Sequence, residues 1–102
     1  GEHDIETCAA VSERVFAAVM SELFNQNLLI EGLMLKPNMV TPGAECKERA
    51  TNEQIAWYTV RTLQRTIVPA LPTVCFLSGG QSEEDASVNL NIMNKMDCAR
   101  PW

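Results

Sequence analysis

The sequence predicts an α/β fold built from parallel βα units. Three features carry that expectation. Apolar spacing of helical period alternates with short apolar or β-branched runs, two of the three helix starts bear capping patterns, and Pro and Gly punctuate the joins.

From Asp4 to about Gln26, apolar residues recur at Ile5, Cys8, Ala9, Val15, Val19 and Leu23, which predicts an amphipathic helix stopped by the turn-prone Asn25-Gln26-Asn27. The run from Leu28 through Leu35 is apolar nearly throughout and predicts a strand covered on both faces. Pro37 holds the residue before it extended, so Lys36 falls at that strand's C-terminal end. Residues 37–49 contain Pro42-Gly43 and predict a long loop, with one helical turn near Glu45.

Thr51-Asn52-Glu53-Gln54 has the form of a capping box, and Ile55, Val60, Leu63 and Ile67 follow at helical spacing to about Thr66. Pro69 and Pro72 end that helix and lead into Thr73–Leu77, a β-branched and apolar run suited to a buried strand. Ser78-Gly79-Gly80-Gln81 then forms a turn. Ser82, with Asp85 three residues on, opens a third helix whose inner face is Ala86, Leu90 and Met93 and which ends near Lys95. Asp97 to Trp102 trail off through Pro101. Two parallel strands and three helices leave sheet edges unpaired, so the 102 residues read as part of a larger domain.

Composition narrows the function classes. Hydrophobic residues at 46% and charged residues at 21% describe an ordinary globular balance rather than a disordered chain. The apolar runs are too short for a membrane helix. Net charge is −5 with the basic residues dispersed, which argues against nucleic-acid binding. No signal or transit pattern opens the sequence. Cys8, Cys46, Cys75 and Cys98 are widely spaced, with no Cys-x-x-Cys pair and only His3 as a further ligand, so reduced cysteines are expected rather than a metal site.

Two features carry chemistry. An amine at the end of an apolar strand loses hydration, and burial then lowers a lysine's pKa and frees it as a nucleophile for carbonyl carbon. Position alone still favours a Lys36 that snorkels to solvent. Ser78-Gly79-Gly80 lies between a strand and a helix, where bare amides and the helix's positive end can hold a phosphate, although an ordinary βα turn has the same composition. The two features sit one βα unit apart and so on one face of a parallel sheet, which points to a sugar-phosphate carbonyl substrate. Glu31 lies an odd number of residues before Lys36, so strand alternation sends the two side chains to opposite faces and makes Glu31 a structural ion-pair partner. Glu83 and Glu84 suit a first helical turn and are taken as structural.

The stretch Leu28-Leu29-Ile30-Glu31-Gly32-Leu33-Met34-Leu35-Lys36-Pro37-Asn38-Met39-Val40-Thr41-Pro42-Gly43 resembles the Schiff-base lysine signature of class I fructose-bisphosphate aldolases. Phe76-Leu77-Ser78-Gly79-Gly80-Gln81-Ser82-Glu83-Glu84 resembles that family's substrate-phosphate loop, and Asn89-Leu90-Asn91 continues the likeness. The resemblance covers nearly the whole chain, from His3-Asp4 to Pro101-Trp102. It implies a partial TIM (β/α)8 barrel, with residues 1–102 a piece of one barrel domain whose complete form needs on the order of 250 residues. It further implies a metal-free, cofactor-free enzyme in which Lys36 forms an imine with fructose 1,6-bisphosphate, while Ser78, Gly79 and Gly80 hold a substrate phosphate. A homotetramer in glycolysis or gluconeogenesis follows from the same likeness.

Leu33-Met34 departs from the Thr-Leu or Ile-Leu more usual before the lysine, a change of packing only. The acid/base glutamate, further basic phosphate ligands and C-terminal tyrosine of the family have no counterpart in these residues, so this piece is expected to be inactive alone. The run Thr41–Thr51 looks nearer to plastid-type than to animal aldolases, leaving cytoplasm as the expected compartment with plastid as the alternative. Two further readings stand beside the enzyme: an aldolase-derived segment kept as a non-catalytic structural or interaction unit of a larger assembly, and a lysine-dependent aldolase for another sugar phosphate.

Overall fold

A computed structural model describes residues 1–96 and 102. Helix α1 spans Ile5–Asn25, strand β1 Met34–Leu35, helix α2 Asn52–Thr66, strand β2 Thr73–Val74 and helix α3 Glu83–Lys95. The stretch from Asp97 to Pro101, including Cys98, lies outside the described residues.

Each helix begins where a side chain can take an otherwise unpaired N–H. The Thr7 N–H donates to Asp4 Oδ1 at 2.8 Å. The side-chain and backbone hydrogen bonds from Thr7 hold the Asp4 carboxyl below its ordinary range. At the other end of α1, Asn27 takes a left-handed φ of 56° while the Asn27 and Leu28 N–H groups donate to Phe24 O and Leu23 O. That pairing is a Schellman stop, and asparagine is among the few residues that accept this conformation cheaply.

At α2 the capping box forms as its sequence predicts. Gln54 N–H donates to Thr51 Oγ1 at 3.1 Å and Thr51 N–H donates to Gln54 Oε1 at 2.8 Å. Thr51 is exposed, so the cap can be tested apart from the core. Thr51→Ala should lower stability by about 1 kcal/mol, read from the denaturant midpoint at unchanged slope in the longest native form of the protein. A loss below about 0.3 kcal/mol would mean that packing alone holds this helix end.

The strand expected from Leu28 to Leu35 is shorter. Ile30–Gly32 closes a 3-10 turn, and only Met34–Leu35 forms strand. Ile30 is drawn into the core, at 5% exposure, while Leu28 and Leu29 stay exposed, so burial of one side chain rather than of a continuous run shapes this segment. Glu31 therefore sits on a turn, where strand alternation does not apply, and it has no ion-pair partner among the described residues. The turn near Glu45 closes with Cys46 N–H donating to Gly43 O and goes no further into helix.

Strands β1 and β2 pair in parallel, Met34 with Thr73 and Leu35 with Val74. Pairing runs on past the regular ladder: Cys75 N–H donates to Leu35 O, Leu77 N–H donates to Pro37 O, and Asn38 bridges Leu77. Pro37 accepts but cannot donate, so the rung that would return from residue 37 is missing and the regular ladder stops early. The expected strand Thr73–Leu77 is thus present in its pairing, though interrupted.

All three helices belong to one side of this sheet, and α2 lies between the other two. Its Leu63, with Met20, Ile30, Ile67, Leu71 and Val74, forms one core, joined by Leu35 and Phe16. Its Ile55, Ala56 and Val60 form a second with Met39 and Met93. An ion pair between Arg65 Nη1 and Glu13 Oε1 at 2.7 Å ties α2 to α1 at the surface. Ala9, expected on the inner face of α1, is buried there, but Val15 and Val19 are exposed and Phe16 and Met20 take their place. Two apolar stripes fit one helical period in α1, and the position of α2 selects between them. In α3 the fully buried pair is Asn89 and Met93, with Ala86 and Leu90 only half-buried.

Candidate functional site

The strand register divides the sheet into two faces. Leu33, Leu35, Val74 and Phe76 turn toward the helices, whereas Met34, Lys36 and Asn38 alternate onto the other face beside Cys75 and Leu77. On this second face Met34, Lys36, Asn38, Cys75 and Leu77 are exposed, Met34 at 59% and Leu77 at 48%, and Thr73, opposite Met34, is half-buried. Among the described residues no element covers it.

Lys36 therefore stands at the C-terminal end of β1 on the open face. It has no hydrogen-bond or ion-pair partner among the described residues. The apolar enclosure expected from its sequence neighbours is not formed by them: Leu33 and Leu35 point to the helix side, and the Lys36 side chain is exposed. Alternation, which sequence proximity ignores, accounts for the difference. The loop that follows is anchored, because Val40 N–H donates to the buried Thr59 Oγ1 at 2.9 Å and Met39, Val40, Pro42 and Gly43 are all buried.

One strand over, Ser78-Gly79-Gly80 turns the chain from β2 toward α3. Gly79 and Gly80 take φ of 59° and 89°, conformations that side chains resist. Gly79 is constrained a second time, since a Cβ there would stand 3.1 Å from Asn38 Cγ and 3.2 Å from Asn38 Cβ and Oδ1. Asn38 lies two residues beyond Lys36. The turn is thus seated directly against the lysine's own strand.

Ser78 is exposed, its carbonyl accepts from both Gln81 N–H and Gln81 Nε2 at 3.0 Å, and α3 begins immediately after. Neither the Gly79 nor the Gly80 N–H has an acceptor among the described residues. Two unpaired amides at the head of a helix whose Ser82 caps it at 3.1 Å make a surface suited to an anion.

Two clefts meet at this turn. One of about 420 Å³ is lined by Thr41, Arg49, Gly79, Gly80 and Gln81, and one of about 330 Å³ by Val11, Val15, Asn38, Met39 and Gly79. Lys36 lines neither and stands beside them on the open face. Arg49, which holds Gly43 O at 2.9 Å and Cys46 O at 3.2 Å, brings a guanidinium to the first cleft. Sequence reasoning passed over it because its loop has no periodicity to place it. Glu83 and Glu84 are exposed in the first turn of α3, where their charge meets the helix dipole.

Comparison with known proteins follows the same lines. The family model described as fructose-bisphosphate aldolase class-I matches residues 1–102. Fructose-bisphosphate aldolase 1 of Toxoplasma gondii is 64% identical over 96 residues, 94% of this chain and 26% of its own. The cytoplasmic isozyme of Spinacia oleracea is 60% identical over 102 residues, all of this chain and 28% of its own. Among solved structures, fructose-bisphosphate aldolase from Plasmodium falciparum, in complex with TRAP and a small-molecule inhibitor, superposes with a TM-score of 0.94 at 53% identity, covering 100% of this chain and 29% of that one. The chain spans between a quarter and three tenths of the length of these relatives, and the expected partial (β/α)8 barrel stands as two adjacent strands with their helices. It belongs to the class I fructose-bisphosphate aldolase family.

Proposed function

We propose that this chain supplies the nucleophile and one phosphate-binding turn of a class I fructose-bisphosphate aldolase, acting within a single (β/α)8 barrel domain of which residues 1–102 are a part. One observation carries the reading: the parallel register from Met34–Thr73 to Asn38–Leu77 brings Lys36 and Ser78-Gly79-Gly80 to the same end of two hydrogen-bonded strands, with Gly79 against Asn38. The C-terminal ends of barrel strands are where such enzymes work.

The chemistry follows from an amine and a ketone. The Lys36 Nζ adds to C2 of fructose 1,6-bisphosphate, and loss of water leaves a protonated imine. A base takes the C4 hydroxyl proton, the C3–C4 bond breaks toward the imine, and glyceraldehyde 3-phosphate leaves. The remaining enamine gains a proton at C3, and water hydrolyses it to dihydroxyacetone phosphate and the free amine. Ser78, Gly79 and Gly80 hold a phosphate throughout and so fix the ketone against Lys36. The proton-transfer groups come from outside these residues. Homotetramer assembly and a cytoplasmic site belong to the same proposal, the latter supported by the cytoplasmic and cytosolic names of the plant relatives.

Incubating the longest native form of the protein with dihydroxyacetone phosphate and borohydride tests it. Reduction of the imine leaves a stable adduct, expected on the Lys36 peptide by mass spectrometry. A folded protein carrying no adduct there would instead support the non-catalytic structural reading.

A further inference from the structure

Asn89 is the least expected occupant of the core. It is fully buried on α3 beside Met93, its Nδ2 donates to Gln81 Oε1 at 2.6 Å, and its Oδ1 has no hydrogen-bond partner among the described residues. A buried amide with an unpaired oxygen costs stability, and an apolar residue of similar size would pack there without that loss. Its presence there calls for a role that Leu could not fill.

The other end of Gln81 shows what that role is. Gln81 Nε2 donates to Ser78 O, the carbonyl that also accepts from Gln81 N–H, both at 3.0 Å. Two donors on one carbonyl fix its direction. The Ser78–Gly79 peptide unit is planar and trans, so a pinned Ser78 C=O forces the Gly79 N–H to point the opposite way. That N–H is one of the two amides left without an acceptor among the described residues. Flexible glycines would otherwise let the peptide rotate, and the aimed donor would be lost.

We propose that Asn89, acting through Gln81, is a positioning residue that aims the Gly79 N–H at the substrate phosphate. The inference rests on the phosphate-turn reading above and deepens it. Asn38 seats the turn from the strand side, and the Asn89–Gln81 relay orients it from the helix side.

The test uses two ketones, dihydroxyacetone phosphate and unphosphorylated dihydroxyacetone, each trapped on Lys36 with borohydride in the longest native form of the protein. Asn89→Leu should raise the concentration of the phosphorylated ketone needed for half-maximal adduct by about tenfold, the cost of losing roughly one hydrogen bond to a charged group. Trapping of the unphosphorylated ketone should be unchanged. A merely structural role would impair both ketones alike, and either that result or an unchanged response to the phosphorylated ketone overturns the inference. Gln81→Met, which keeps the shape of a half-buried side chain and removes both of its side-chain hydrogen bonds, should reproduce the effect even if Asn89→Leu fails to fold. Absence of any adduct in the unsubstituted protein is a distinct outcome that sinks Lys36 as the nucleophile, and equal half-maximal concentrations of the two ketones in that protein would sink the phosphate-turn reading itself.

Discussion

Lys36→Arg should abolish the borohydride-trapped adduct and lower aldol cleavage by at least about a thousandfold, the scale on which covalent catalysis is lost with its nucleophile. Arginine keeps the positive charge and most of the length, so electrostatic attraction of a phosphorylated sugar survives. What it lacks is a lone pair, because a guanidinium does not give up its proton in a protein. Lys36→Met removes the charge as well and should be no more damaging to cleavage. Lys36 is exposed and has no partner among the described residues, so both variants should stay within about 0.5 kcal/mol of the parent in stability. Lost activity with an unchanged denaturation midpoint is therefore the expected signature. Residual cleavage within tenfold of the parent would remove Lys36 from the chemistry.

Gly79→Val should weaken phosphate binding by about tenfold or more and destabilise the protein by roughly 2–3 kcal/mol, combining two separate penalties. A side chain at φ 59° costs about 1–2 kcal/mol, more for a β-branched residue. The Cβ must also displace Asn38, whose Cγ would lie 3.1 Å away. Gly80→Ala separates the two. At φ 89° it meets the conformational penalty, yet nothing lies within 4 Å of its Cβ, so its effect should be the smaller. Adding Asn38→Ala to Gly79→Val should restore part of the loss, since two of the three close contacts belong to atoms that alanine lacks. KM for fructose 1,6-bisphosphate and urea unfolding together read the series. Equal effects of Gly79→Val and Gly80→Ala would show that the Asn38 contact contributes nothing.

Local chemistry made much of the fold readable in advance. The Thr51–Gln54 capping box, the Ser82 cap and the Asn25-Gln26-Asn27 stop each act within a few residues, so the interactions that make them are already written in neighbouring positions. The parallel pairing was legible for a related reason: helix-period and apolar segments in alternation leave a right-handed crossover as the ordinary way to join adjacent strands.

Other assignments depended on partners distant in sequence. Val15 and Val19 fit the inner stripe of α1 as well as Phe16 and Met20 do by spacing, and only the placement of α2 decided between them. Glu31 looked like a strand residue until Ile30 turned into the core and took its neighbours into a 3-10 turn. Asn89, noted only within the family likeness, and Arg49 were given no role because neither follows an apolar period; each is defined by what it touches, Gln81 in one case and the carbonyls of Gly43 and Cys46 in the other.

By itself the sequence determined the family signature around Lys36, the Gly79-Gly80 turn between strand and helix, and the helix ends, because all of these are local. Tertiary structure alone decided that Lys36 faces away from Leu33 and Leu35, that Gly79 lies against Asn38, and that the buried Asn89 amide meets Gln81. Those outcomes arise from strand register and helix packing, where side chains far apart in the chain compete for the same space, and no local pattern encodes which of them prevails.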